Sequence, residues 1–285
     1  MDFVWPCLLS ESMPTFRATI SYDGTAFHGW QMQPGFRTVQ ETFESALSDL
    51  AGGPRVRVTA SGRTDTGVHA LGQVVSFSLP TRLEPSVLRR ALNARLPEDV
   101  VVRLVERVAE GFDANRDALR KRYRYVIHDG EVPDLFQRRY AYHSRYRLDA
   151  QRMHTAAQYL YGTHDFRCFE TEWPNRASSV RTISHISVTR PSHLDGEFLW
   201  LEVEADGFLY NMVRAIAGTL MQVGRGYWPV EYVERLVREG DRTQAGPTAP
   251  ACGLFLLYVV YADSLATHGD PSPSSQPPQT PTDPS

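Results

Sequence analysis

Hydrophobic and polar residues follow two different periods along the chain, which together predict a mixed α+β protein. In the first half, alternation at every second position predicts strands at residues 15–23, 55–61, 73–79 and 99–108. Apolar residues three or four positions apart predict helices at 38–50 and 84–96, with Thr38 as an N-cap and Pro85 near a helix start. The predicted order is strand, helix, strand, strand, helix, strand.

The same order recurs in the second half of the chain. Strands are predicted at 121–128, 180–190, 198–206 and 254–262, and helices at 149–162, 208–224 and, in addition, 229–240. The repetition predicts two split βαβ units of the ferredoxin-like kind, each an antiparallel sheet with helices on one face. The predicted fold class is therefore α+β, with the two sheets facing a central cleft. Such a cleft would suit nucleic acid, although packing alone also explains the duplication.

The limits of the periodic pattern predict how the chain is divided. We expect a leader at 1–13, an N-terminal α+β domain at 14–115, a C-terminal α+β domain at 116–262 and a tail at 263–285. The tail is rich in Pro and Ser and has few apolar residues to bury, so it is predicted to be disordered. The leader lies outside the pattern, and Met13 is an alternative start.

Composition limits the class of protein. The chain has 285 residues, of which 42% are hydrophobic and 22% charged, as in globular domains. No apolar run approaches the roughly 18 residues of a membrane helix, and the start lacks a positively charged signal region, so a cytoplasmic protein without membrane contact is expected. Cys7, Cys168 and Cys252 have no ligand-like spacing, which predicts neither disulfides nor a metal site.

Charge is informative through its distribution. The formal net charge is −3, but 30 basic residues face 33 acidic ones of which Asp263, Asp270 and Asp283 lie in the tail. Residues 116–152 carry ten basic side chains against five acidic ones, and Lys121 is the only lysine of the chain. A local basic cluster is typical of a site for a polyanion, while the preference for Arg over Lys also fits a compositional bias.

A candidate for chemistry lies in the loop predicted between the second and third strands. The stretch "ASGRTDTGVHALGQ" at 60–73 contains Arg63, Asp65 and His69. A carboxylate there can act as nucleophile or general base, or cap the turn through its own hydrogen bonds. Metal binding would need further acids or histidines at ligand spacing, which the flanks lack. The triplet Asp65-Thr66-Gly67 also occurs in aspartic peptidases, but a second copy is missing and Arg63 would oppose the shared proton.

The block "GRTDTGVHA" resembles the signature of the TruA-type tRNA pseudouridine synthases. Five further blocks of that family are matched in order, namely "YDGTAFHGWQMQP" with "TVQETFESAL", "FDAN" with "KRYRY", "GTHDF", "GFLYNMVR" and "APACGL". The resemblance covers roughly residues 14–262. The chain departs from the pattern at Asn115, where the family often has arginine, and at Ala251, where it usually has proline.

The resemblance implies an isomerase that converts uridine to pseudouridine at positions 38, 39 and 40 of the tRNA anticodon arm. It implies a homodimer with one tRNA bridging both subunits, and no cofactor, because the reaction conserves all atoms. Asp65 matches the family's nucleophile, which attacks either C1′ or C6 of a nucleoside flipped out of its stem. By the same resemblance Arg63 displaces the base, Tyr123 stacks on the uracil and assists removal of the C5 proton, and Arg214 pairs with Asp65.

Other roles and readings follow from the residues themselves. The basic side chains of the strand at 121–128 and its start are candidate RNA-phosphate contacts, namely Arg120, Lys121, Arg122 and Arg124. His69 is expected to be a hydrogen-bonding scaffold. Tyr123 also fits a strand aromatic in the core, and Arg214 an exposed helix arginine. For the whole chain, the alternatives are a non-catalytic RNA-binding protein that does not need Asp65 and an aspartic peptidase active at acid pH.

Overall fold

The computed structural model describes residues 13–171, 178–194 and 196–262, so the predicted tail and all of the leader except Met13 lie outside the described residues. The described residues form ten strands and five α-helices. The strands are β1 (Thr15–Tyr22), β2 (Thr59–Ala60), β3 (His69–Ser78), β4 (Val100–Val108), β5 (Arg120–His128), β6 (Tyr142–His143), β7 (Gly162–Asp165), β8 (Val180–Thr189), β9 (Phe198–Ala205) and β10 (Leu254–Val260). The helices are α1 (Val39–Ala51), α2 (Pro85–Asn93), α3 (Ala150–Gln158), α4 (Met212–Gly224) and α5 (Tyr232–Glu239). The predicted domain boundary at residue 115 falls between β4 and β5.

All ten strands belong to one sheet, and the predicted α+β class is confirmed. The main path runs β4-β1-β3-β10-β5-β9-β8-β7, while β2 pairs with β3 and β6 with β5. Each half of this path keeps the ferredoxin-like order. The two sheets that were expected to face each other are instead joined edge to edge, because β10 pairs in parallel with the start of β3. The register pairs are Phe255 with His69 and Leu256 with Ala70.

The edge of β3 is open to β10 because β2 is short. Only Thr59 and Ala60 of the strand predicted at 55–61 pair with β3. Backbone amides just before them are bound by side chains of α1: the Val56 N–H donates to Ser48 Oγ (3.0 Å) and the Val58 N–H to Glu44 Oε1 (3.0 Å). These amides are satisfied without a strand neighbour, so the predicted strand is reduced to two residues.

All five predicted helices form, but the one predicted at 149–162 ends at Gln158 and the one predicted at 208–224 begins at Met212. Thr38 caps α1 by accepting a hydrogen bond from the Glu41 N–H (3.4 Å), and Pro85 is the first residue of α2. Phe43 and Leu47 on the apolar face of α1 are completely buried. Helix α4 is buried along most of its length, and a Cβ on its Gly218 would lie 1.8 Å from the Pro247 carbonyl oxygen. This close approach brings Pro247 against the middle of α4.

Strand β5 has two chemically different faces. Tyr123, Tyr125 and Ile127 are buried, whereas Arg122 and Arg124 alternate with them and point to the opposite face. Lys121 therefore lies on the same face of β5 as Tyr123. This alternation decides which of the predicted basic residues lie near the loop that carries Asp65.

Candidate active site

Asp65 lies on the loop at 61–68 between β2 and β3, as predicted, and its side chain is 27% exposed. We call this segment the Asp65 loop. A neighbouring turn holds its backbone, because the Trp30 N–H donates to the Thr64 carbonyl (2.9 Å) and the Gly67 N–H to the Phe27 carbonyl (3.3 Å). Gly29 in that turn has φ +83°, and a Cβ there would lie 2.8 Å from the Thr64 oxygen. A larger residue at 29 would displace the loop.

Hydrogen bonds from buried polar side chains hold the Asp65 loop in place. The hydroxyls of Tyr22 and Thr64 are 2.8 Å apart, and burial raises the pKa of Tyr22 to about 12. Ser61 Oγ donates to Gln73 Oε1 (2.6 Å), and Gln73 Nε2 donates to the Gly62 carbonyl (2.8 Å). Asp65 is thus flanked by hydrogen-bonded positions on its own loop, which favours a defined orientation of the carboxylate.

The structure brings Arg214 to Asp65, although the two residues lie 149 positions apart in the chain. Arg214 Nη1 is 3.1 Å from Asp65 Oδ2, and the arginine side chain is only 17% exposed. Its Nε donates to the Ala249 carbonyl (2.7 Å), and the Ala249 N–H donates to the Arg214 carbonyl (3.1 Å). The guanidinium is therefore fixed by the backbone of another segment and stabilises the negative charge of Asp65.

Asn211 is a site residue that the sequence reasoning missed. Its Oδ1 accepts a hydrogen bond from Arg214 Nη1 (2.7 Å). Among the described residues, Asn211 alone has a positive φ (61°) without being glycine, a conformation that costs about 1–3 kcal/mol. An Asn just before a helix usually signals an N-cap, but this side chain bonds to Arg214 instead of capping α4. The strained backbone conformation thus accompanies a side-chain hydrogen bond from Arg214 to Asn211.

Tyr123 is both a core residue and a neighbour of the site. It is 8% exposed and packs edge-on against Phe208, with ring centroids 4.9 Å apart. Burial, and then the proximity of Tyr22 and Asp65, raise the pKa of Tyr123 well above its usual range. The phenol therefore remains protonated at neutral pH. Phe208, which lies in the block that also contains Arg214, is a second contact that the sequence reasoning did not single out.

Arg63 and His69, the other two candidate residues near Asp65, differ in their exposure to solvent. Arg63 is exposed, two residues before Asp65. His69 is buried: its Nδ1 accepts a hydrogen bond from the Gly24 N–H (3.1 Å), which assigns the proton to Nε2, and Nε2 donates to the Arg139 carbonyl (2.9 Å). Burial lowers the pKa of His69, so the ring is neutral. The prediction that His69 is a hydrogen-bonding scaffold is confirmed.

The four predicted phosphate contacts are divided between the two faces of β5. Arg120, Arg122 and Arg124 lie beside acidic residues of β9: Arg120 is 3.5 Å from Glu204, and Arg124 donates to Glu202 (2.8 Å) and covers the Trp200 ring. Lys121 lies on the other face, where a Cβ added to Gly62 would be 3.4 Å from its Nζ. Of the four, the structure therefore brings only Lys121 to the Asp65 loop.

Two features of the described residues bear on other classes of function. No helix in this part of the chain has the length and apolarity to cross a membrane. Within the same residues, no three His, Cys, Asp or Glu side chains come together as a metal-binding group. Cys168 and Cys252 are both free thiols.

A family model and several known proteins are similar in sequence to this chain. A family model described as tRNA pseudouridine synthase matches residues 18–115 and 156–262. Proteins named tRNA pseudouridine synthase A are similar to this chain along most of its length. The protein from Bacillus subtilis is 45% identical over 246 residues, which are 86% of this chain and 98% of that protein. The protein from Limosilactobacillus fermentum is 42% identical over 260 residues, which are 90% of this chain and 100% of that protein.

Proposed function

The chain belongs to the tRNA pseudouridine synthase family, a family of isomerases, and from this premise we propose that it converts uridine to pseudouridine at positions 38, 39 and 40 of the anticodon arm. In this proposal Asp65 is the nucleophile, and the target uridine is flipped out of its stem. The observation that carries the proposal is the 3.1 Å ion pair between Asp65 and Arg214, since it orients one carboxylate at the junction of the two halves.

In the proposed reaction the substrate and the product are isomers, so no atoms are gained or lost. One nucleophilic carboxylate is then sufficient. Asp65 attacks the nucleoside at C1′ or C6, the N1–C1′ bond breaks, and the detached uracil rotates. A new C5–C1′ bond then forms, C5 loses its proton, N1 gains one, and the carboxylate is released. No electrons are exchanged with another reactant, so no cofactor is required.

Arg214 is proposed to assist the nucleophile in this reaction, and Tyr123 to assist the uracil. Arg214 holds Asp65 Oδ2 and so directs the carboxylate, while the Ala249 carbonyl fixes the guanidinium itself. Tyr123 is proposed to stack on the uracil and to assist removal of the C5 proton. Because its phenol is protonated at neutral pH, it would act as a relay: it accepts the C5 proton while its own proton passes to the released Asp65 carboxylate.

Extraction of the uridine costs a few kcal/mol of unstacking and unpairing. The exposed Arg63 is proposed to fill the vacated position in the stem, where a guanidinium can stack and contact phosphate. Lys121 is proposed to bind a phosphate beside the Asp65 loop. Arg120, Arg122 and Arg124 stay predicted RNA contacts, although a phosphate at these arginines would also meet the carboxylates of Glu202 and Glu204. A cytoplasmic homodimer that shares one tRNA completes the proposal.

The test is release of tritium from a tRNA transcript labelled at uridine C5. The wild-type protein should release tritium, and Asp65→Asn should release none. Asp49→Asn, at an exposed position of α1, is the matched control and should behave as the wild type. Transcripts with cytidine at position 38, 39 or 40 should each lose the corresponding part of the release. Turnover by Asp65→Asn at the wild-type rate would contradict the nucleophile, and no release by the wild type would favour a non-catalytic RNA-binding protein.

A further inference from the structure

Two exposed tyrosines contact one arginine at the C-terminal end of α4, and we call Tyr146, Arg225 and Tyr227 the Arg225 cluster. The central carbon of the Arg225 guanidinium is 4.2 Å from the centroid of the Tyr146 ring and 5.4 Å from that of Tyr227. Tyr146 is 54% exposed and Tyr227 67%. Single exposed aromatic residues are common on proteins, but two rings that share one guanidinium form a defined surface. None of these three residues has a role in the proposed chemistry.

Hydrogen bonds hold the backbone on which the two tyrosines stand. The Tyr227 N–H donates to a carbonyl of the last turn of α4 (3.0 Å), and Arg152 Nη2 of α3 donates to the Trp228 carbonyl (3.3 Å). Ser144 Oγ accepts from the Tyr146 N–H (3.2 Å) and donates to the Tyr146 carbonyl (2.8 Å). Both rings are therefore presented by a hydrogen-bonded backbone, and a ligand would not have to order it.

The charge around the Arg225 cluster is positive. The two segments that carry it, 145–152 and 222–230, contain four arginines and one acidic residue, Asp149. Arg147 pairs with Asp129 outside these segments at 3.0 Å, so three arginines still face one acidic residue. A local excess of positive charge is complementary to a polyanion.

The chemistry of the Arg225 cluster matches that of nucleotides. Nucleobases stack on aromatic rings and on the plane of a guanidinium, and a guanidinium also binds phosphate oxygens. The faces of paired bases are covered by their neighbours in the helix, so open rings fit unpaired nucleotides. An acidic protein segment would use the arginines but would leave the two rings without a stacking partner.

The Arg225 cluster is separate from the candidate active site. Arg225 follows Arg214 by 11 residues along α4, which at 1.5 Å per residue is a distance of about 16 Å. The cluster therefore cannot contact the uridine that Asp65 is proposed to attack. It can contact other nucleotides of an RNA molecule held at Asp65.

We infer that the Arg225 cluster binds unpaired nucleotides of RNA outside the target uridine, with bases stacked on Tyr146 and Tyr227 and a phosphate at Arg225. The inference rests on the proposed function, which supplies the RNA, and adds a second contact with it. A cation–π contact between exposed side chains contributes little to folding, so substitutions in the cluster should leave the fold intact.

Fluorescence anisotropy with a labelled single strand of seven adenosine nucleotides tests the contact on the full-length chain. This probe contains no uridine, so its binding does not depend on the proposed reaction. The wild-type protein should bind it, and Tyr146→Ala and Tyr227→Ala should each raise the dissociation constant about tenfold, because one stacked base is lost. Tyr227→Phe keeps the ring and should bind as the wild type. Tyr161→Ala, at a tyrosine outside the cluster that is 59% exposed, is the matched control and should leave the affinity unchanged. Circular dichroism checks that each variant is folded.

Three results would overturn the inference: a wild type that does not bind the single strand, alanine variants that bind it as the wild type does, or a peptide of seven glutamates that displaces it from the wild type at equal concentration. The last result would make the Arg225 cluster a site for acidic protein segments. Tritium release is measured in parallel, so the two proposals fail separately. A wild type without release, but with single-strand binding that Tyr227→Ala weakens, would leave the inference intact and refute the chemistry.

Discussion

At the residue scale, the orientation of Asp65 depends on groups that do not themselves react. Arg214 has hydrogen bonds to Asp65, Asn211 and the Ala249 carbonyl, so its position is determined by two segments as well as by its own helix. Asn211 holds a backbone conformation that L-residues rarely adopt. The strain is confined to Asn211, and the hydrogen bond to its side chain helps to orient the Arg214 guanidinium.

We predict that Asn211→Gly and Asn211→Ala separate these two effects. Both remove the hydrogen bond to Arg214, which for a charged partner contributes about 1.5–3 kcal/mol, so both should lower kcat at least tenfold. Asn211→Ala keeps a Cβ in the left-handed region whereas Asn211→Gly removes it, so the free energy of unfolding should be about 1 kcal/mol lower for the alanine variant than for the glycine variant. Tritium release and urea unfolding measure the two quantities. A glycine variant with the wild-type kcat would show that the strain has no catalytic purpose.

A second prediction concerns Tyr123, for which the proposed function gives the ring and the hydroxyl separate tasks. Tyr123→Phe keeps the stacking surface and the packing on Phe208, so KM for tRNA should be unchanged. Loss of the proton relay should lower kcat about 100-fold, the lower range for general acid–base catalysis. Tyr123→Leu should raise KM as well. Steady-state tritium release gives both constants, and a phenylalanine variant with undiminished kcat would restrict Tyr123 to stacking.

At the scale of elements, β5 shows how alternation distributes one basic run over two environments. Lys121 approaches Gly62 on the Asp65 loop, while Arg124 is occupied by Glu202 and Trp200 on the other face. A linear basic motif therefore overstates the charge available to RNA. The neighbours that decide this, Glu202 and Glu204, come from β9, which is about 80 residues away in the chain.

We predict that Lys121→Gln reduces the salt dependence of tRNA binding by about one unit of slope, because one phosphate contact is lost. Arg235→Gln, at an exposed position of α5, is the control and should leave the slope unchanged. Filter binding at several salt concentrations measures the slope. An unchanged slope for Lys121→Gln would remove this lysine from the RNA surface. A similar reduction in Arg124→Gln would show that RNA displaces Glu202 from its arginine.

Most elements were predictable because their patterns are long. The strand predicted at 180–190 appears as Val180–Thr189, and the helix at 208–224 as Met212–Gly224. The short strands β6 and β7 were missed because two to four residues are too few for alternation to show. In the site, the motifs pointed to Asp65 and Arg214. Asn211 and Gln73 act through hydrogen bonds between distant segments, which leave no local pattern.

At the scale of the whole molecule, the duplicated pattern predicted two halves but not their junction. The pairing of β3 with β10 uses backbone groups on two strand edges, and such groups are the same in every sequence. The junction was therefore invisible in the sequence, although it decides that there is one sheet. His69 stands at this junction, since it is the register partner of Phe255 and stacks on its ring at 4.7 Å.

The last prediction follows from the neutral state of His69. Burial lowers its pKa in the folded chain, whereas an unfolded chain has the ordinary value of about 6.5. Below that value the unfolded state binds more protons than the folded state. The contribution of His69 to stability is therefore complete above about pH 6.5 and decreases as the pH falls towards the folded pKa. The junction of the two halves should weaken in this interval.

Urea unfolding as a function of pH measures this loss. The pKa of His185 is lowered in the same direction, mainly by burial, so the wild-type pH slope has at least two contributions. His69→Gln should flatten the slope by removing the contribution at the junction, whereas His28→Gln, at an exposed position, should leave it unchanged. If the slope were the same in His69→Gln as in the wild type, protonation at the junction would not destabilise the sheet. The acid sensitivity of the fold would then have to arise within one half, with the contact between β3 and β10 unaffected.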